Sequence, residues 1–113
     1  MSQYEPDVWV VVEIDGNKVE NRYYRVLAGW YGGFANGDSW KMSSGITKIV
    51  EQDTYWEIHN TSGSVYQCHK NNEGFSGYTK RVLDNYQLEN SDDLRLNHVA
   101  FDTFKTMFLI ETN

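Results

Sequence analysis

One cysteine, Cys68, one proline, Pro6, and three histidines are all that this chain has of the residue types that most often build cross-links, rigid turns and metal centres. A lone thiol forms no intramolecular disulfide, so packing and hydrogen bonds must hold the fold, and a reducing, cytoplasmic setting is expected. No basic segment followed by an apolar one opens the chain as a secretory signal would, so secretion is not expected. The longest apolar run near the N-terminus, Val8 to Val12, falls far short of the roughly twenty residues that cross a bilayer, and no membrane association is expected. Basic residues are also scarce: ten Lys and Arg stand against sixteen Asp and Glu, a formal charge of -6. That balance repels polyanions and disfavours nucleic acid as a partner. The acids outnumber the bases both before and after Glu57 and form no tail, so a strong mimicry of DNA is not expected either.

Aromatic residues, by contrast, are abundant. They make up 15% of the 113 residues, within an apolar fraction of 40%, which supplies enough surface to bury one core but not two. The chain is therefore read as a single domain spanning residues 1–113.

Val8-Trp9-Val10-Val11-Val12-Glu13-Ile14 is rich in β-branched residues and runs into Asp15-Gly16-Asn17, where glycine suits a tight turn. The return arm, from about Lys18 to Leu27, carries spaced apolar residues, and the two arms are expected to pair as a hairpin. The stretch Gly29 to Trp40 mixes glycines with aromatic rings and reads as a long, ordered loop. Trp40 to Met42, Ile46 to Glu51, Tyr55 to His59 and Val65 to His69 are short alternating or apolar runs, spaced as a meander of antiparallel strands. Tyr78, Val82, Tyr86 and Glu89 then recur at helical steps behind a capping Ser76, predicting a helix over Gly77 to Glu89. Phe101, Phe104 and Phe108 extend the helical period, and a second helix is expected there, although Phe108-Leu109-Ile110 also suits a strand end. The expected class is α+β: a mostly antiparallel sheet of about five or six short strands with one or two C-terminal helices.

Little in the sequence carries catalytic chemistry. Cys68 lies near His59 and His69, but adjacent strand residues point to opposite faces, and a lone strand cysteine is usually a small buried apolar residue. No paired-cysteine or His-x-x-x-His spacing gathers metal ligands, so no metal and no cofactor are expected. Ser43-Ser44-Gly45 and Ser62-Gly63-Ser64 are turns able to aim backbone amides at a ligand, yet neither matches a phosphate loop. The aromatic stretch is the most informative feature. Trp30, Tyr31, Phe34 and Trp40 are candidate contact residues for a partner or a stacked ligand, with Ser62 and Ser64 as hydrogen-bonding candidates. The alternative is that these rings close one end of the core.

Gly29-Trp30-Tyr31-Gly32-Gly33, Ser39-Trp40-Lys41-Met42-Ser43-Ser44-Gly45-Ile46 and Ser62-Gly63-Ser64-Val65-Tyr66-Gln67-Cys68 together resemble short uncharacterised proteins of tailed bacteriophages and prophages. The similarity spans roughly residues 25 to 86 and carries no activity with it. It implies a phage origin and, with that, a protein acting by binding host machinery.

Three readings stand. The first is a non-enzymatic interaction protein that binds a host or partner protein through the aromatic loop and the acidic surface. The second is a small-ligand module for a nucleotide or sugar. The third, and weakest, is a cysteine-dependent enzyme using Cys68. Self-association through the Phe101 to Ile110 segment is one way to bury its apolar side chains.

Overall fold

The apolar run at Val8 to Val12 lies at the centre of the molecule because both faces of its strand are covered. In the computed structural model, which describes residues 3–16, 23–32, 37–89, 94–108 and 110–112, strand β2 (Val8–Gly16) pairs antiparallel with β3 (Tyr23–Trp30) on one side and β8 (Leu94–Val99) on the other. Strand β4 (Ser39–Met42) adds to β3, completing a four-stranded sheet in the order β4-β3-β2-β8. The second sheet has the order β1-β7-β6-β5-β9, with β1 at Gln3–Tyr4, β5 at Ile46–Glu51, β6 at Tyr55–Asn60, β7 at Val65–His69 and β9 at Ile110–Thr112. Its three middle strands are antiparallel, and each edge strand runs parallel to its neighbour.

Successive side chains of β2 alternate between two cores. Trp9 and Val11 face the second sheet, where they join Val26, Ala28, Ile49, Ile58, Tyr66, Cys68, Phe101 and Phe104. Val10, Val12 and Ile14 face the other way, packing with Leu27 and Leu96 against Val82 and Leu83 of helix α1 (Gly77–Leu88). The layers are therefore sheet, sheet and helix. A strand buried on both faces gains nothing from polar alternation, which explains its uninterrupted valines.

The α+β class holds, but the single sheet of five or six strands does not: nine strands form two sheets among the described residues. The N-terminal hairpin is present, yet its turn is not at Asp15-Gly16-Asn17. Asp15 and Gly16 belong to β2, pairing with Arg95 and Leu94, and Asn17 lies outside the described residues. Pairing with β8 carries the strand through Gly16. The meander β5-β6-β7 is as expected, except that Trp40–Met42 does not belong to it. At Ser43 the chain leaves β4 for the second sheet. The buried Ser43 hydroxyl accepts from the Val26 amide at 2.8 Å and donates to the Ser44 carbonyl at 2.7 Å, while the Ser43 amide donates to the Val26 carbonyl at 2.8 Å.

Helix α1 begins where Ser76 predicts, and the cap is reciprocal: the Ser76 Oγ accepts from the Thr79 amide, and the Thr79 Oγ1 accepts from the Ser76 amide. Its first turn sits so close to β3 that a Cβ on Gly29 would lie 2.7 Å from the Thr79 methyl group, so only glycine fits there. The C-terminal expectation holds in part: a second helix is present at Phe101, but it is short. Residues 94–99 form β8, a strand the helical reading missed; only Phe101–Phe104 make an α-helical turn, α2, followed by a 3-10 turn at Lys105–Met107. Phe108 is extended and leads towards β9. The phenylalanine spacing still has a cause: Phe101 and Phe104 are both buried, and rings 101, 104 and 108 stack in succession between the sheets. Phe101 and Phe104 thus find their burial within the chain, whereas Met107 is half exposed.

Candidate functional site

The aromatic stretch does not form one platform. Gly29 stands opposite Trp40 and Trp30 opposite Ser39, so the two tryptophans project from opposite faces of the four-stranded sheet. Trp30 lies on the inter-sheet side, where its Nε1 donates to the Glu5 carbonyl at 3.0 Å and its ring meets Tyr4 edge-on. Trp40 lies on the helix side, edge-on to Tyr86 of α1 with centroids 6.3 Å apart. Tyr31 follows the strand and is 57% exposed, its amide held by the Asp7 carboxylate at 2.8 Å. Phe34 falls outside the described residues. The opposition of Trp30 and Trp40 follows from strand parity and could have been read once both were assigned to strands.

Ser62 and Ser64, on the other hand, are brought together, and with groups that sequence reasoning passed over. Between β4 and the β1–β7 edge the two sheets part to leave a cleft of about 470 Å³, lined by Tyr4, Lys41, Met42, Ser43, Ser44, Ser62, Ser64 and Tyr66. Each strand contributes for a local reason. Lys41 stands opposite Ala28, an inter-sheet core residue, so it projects to the same side; its Nζ lies 5.2 Å from the centre of the Tyr4 ring. Gly63, at φ 88°, allows the tight turn between β6 and β7, and Ser64 and Tyr66 then share one face of the chain. The Thr61 amide donates to the Gly45 carbonyl at 2.9 Å, bringing the 43–45 and 61–64 turns side by side.

A relay of hydroxyls crosses this junction. Ser44 Oγ donates to Ser62 Oγ at 2.9 Å, Ser62 Oγ donates to Ser64 Oγ at 3.0 Å, and the Ser62 amide donates back to Ser44 Oγ at 3.0 Å. Tyr66 is fully buried, and its hydroxyl has no hydrogen-bond partner among the described residues. An unmet buried hydroxyl costs on the order of 1–3 kcal/mol. Burial first, then the proximity of Tyr4 and of Cys68, raises its pKa above the ordinary phenol value, so it remains a donor. Among the described residues no carboxylate lines the cleft.

The cysteine and histidines are arranged otherwise. Cys68 is fully buried in the inter-sheet core opposite Trp56, and burial raises its thiol pKa well above the usual value. His59 stands opposite Val65, on the outward face of the sheet, with its Nε2 2.6 Å from Glu57 Oε1. His69 points outward too, its Nε2 3.1 Å from Glu5 Oε2. Thiol and imidazoles thus occupy opposite faces, and no base stands beside the sulfur. Among the described residues no three His, Cys, Asp or Glu side chains converge as metal ligands would.

The chain matches no family model, and neither a curated protein nor a solved structure matches it.

Proposed function

We propose that this chain is a small-ligand-binding module whose ligand occupies the serine-lined cleft between the two sheets. The observation that carries this reading is the buried, unpartnered hydroxyl of Tyr66, a residue that lines a polar cleft. A group of this kind is retained against its cost when something outside the chain satisfies it. The cleft volume falls in the range of small-molecule sites. The Ser44–Ser62–Ser64 relay offers preformed polar contacts whose geometry is held by backbone bonds, so a ligand need not order them. The test is a thermal-shift screen against mono- and oligosaccharides, nucleotides and cyclic nucleotides, run on the native chain and on Tyr66→Phe. A stabilising shift with one class, diminished in Tyr66→Phe, is expected. No shift with any class at millimolar concentration would remove the basis for this reading.

A second reading, an interaction protein of phage origin acting in the cytoplasm on a host protein, is favoured by Tyr31. Its ring is 57% exposed beside Asp7 on a chain of charge -6, the pairing of aromatic anchor and charge found at protein interfaces. A tagged pull-down from bacterial lysate with Tyr31→Ala alongside separates the two. A stoichiometric partner lost in the variant supports the interface.

A further inference from the structure

We infer that the cleft takes a phosphorylated small molecule, its phosphate held by Lys41 and the hydroxyls of Ser64 and Tyr66; this rests on the small-ligand reading above. The argument is an inventory of donors and acceptors. Sugar hydroxyls both donate and accept, so a site for a neutral sugar needs side-chain acceptors as well as donors, whereas a phosphate only accepts at its charged oxygens. Here the lining groups with uncommitted capacity are an ammonium, which can only donate, and two hydroxyls that each still have a proton to give. The Lys41 ammonium makes no ion pair among the described residues, Ser64 Oγ accepts from Ser62 and donates to no described group, and Tyr66 has no partner. Ser43, by contrast, is spent: its hydroxyl both accepts and donates within the fold. Among the described residues no Asp, Glu, Asn, Gln or His lines the cleft, so none of them repels an anion there and none offers a side-chain carbonyl to a donor. The Tyr4 ring, the one face on which a neutral sugar would stack, is flanked by the Lys41 ammonium at 5.2 Å and the Tyr66 ring at 4.9 Å. In a chain of net charge -6, a cleft with a lysine and no acid among its described lining residues is a local reversal of sign, which concentrates anions there.

The experiment is calorimetric titration of the full chain with inorganic phosphate, glucose, glucose 6-phosphate, glucuronate, adenosine and AMP, at two salt concentrations. Binding of glucose 6-phosphate or AMP, weakened by salt and absent with the unphosphorylated counterparts, is expected. The sugar phosphate and the nucleotide arms tell the two sources of phosphate apart. Lys41→Gln and Tyr66→Phe are each expected to weaken that binding by about tenfold, the loss of one hydrogen bond to a charged group, with Ser64→Ala as the independent variant should Tyr66→Phe perturb packing. Equal binding of glucose and glucose 6-phosphate, or of glucuronate and glucose 6-phosphate, overturns the phosphate inference while leaving the small-ligand reading standing. Binding of none of the probes overturns the inference, and the reading falls separately if the wider ligand screen is also silent.

Discussion

The two sheets solve the same problem differently. The four-stranded sheet is covered twice, by the second sheet on one face and by α1 on the other, so its central strand reads as an almost continuous apolar run. The five-stranded sheet is covered once: Ile58, Tyr66 and Cys68 turn inward and are buried, whereas Glu57, His59, Gln67 and His69 turn outward and none of them is buried. Position in the layer order, not strand length or composition, decides how much a residue matters for stability. The same difference explains where polar chemistry collects. It gathers on the outward face, with hydrogen bonds such as that between His59 and Glu57, and at the junction where the inter-sheet core ends and the serine cleft begins.

The contrast is broken most severely between the sheets. Phe104 is fully buried there, its ring 5.1 Å from Tyr24 of one sheet and 4.8 Å from Phe108. Phe104→Ala is expected to cost about 3–5 kcal/mol in urea unfolding, because the cavity it leaves is walled on all sides. A loss below 1 kcal/mol would mean that the layer is loosely packed. A matched pair sharpens the comparison: Val12→Ala, under the helix, should lose about 2 kcal/mol, whereas Gln67→Ala, on the uncovered face, should change stability by no more than about 0.5 kcal/mol. Equal effects would show that the outward face is covered after all.

The smallest effect near neutrality is one of pH. Cys68 and Tyr66 both hold their protons more tightly when folded than at the ordinary values of 9.0 and 10.0. As pH rises, the unfolded chain therefore releases protons first, and alkali favours unfolding. The stability tied to these groups is intact below pH 9 and is lost progressively above it. The urea midpoint is expected to be level from neutrality to that point and to fall beyond it, with Tyr66→Phe removing the part of the fall that sets in above pH 10. A midpoint that stays level through this range would contradict the burial of both groups.

Elements whose cause is local were legible in the chain. The N-terminal hairpin, the β5-β6-β7 run and the start of α1 at Ser76 each rest on β-branched runs, alternation or a capping side chain within a few residues. Strand β8 was not legible, because Leu-Arg-Leu-Asn-His-Val alternates weakly and its partner β2 lies some eighty residues earlier. Gly16 misled for the same reason: the turn it suits locally is overridden by pairing with Leu94. Of the candidate site, Ser62 and Ser64 could be named from their turn, but Lys41, Ser44 and Tyr66 could not be joined to them.

By itself, then, the sequence determined the α+β class, the acidic character, the helix start and several of the short strands, since these follow from periodicity and from contacts between near neighbours. Only the tertiary structure decided that there are two sheets, that Trp30 and Trp40 part to opposite faces, and that three strands, β1, β4 and β7, meet around a cleft with no acid among its described lining residues. Those outcomes depend on register between distant strands, where a shift of a single residue would exchange the faces of every side chain.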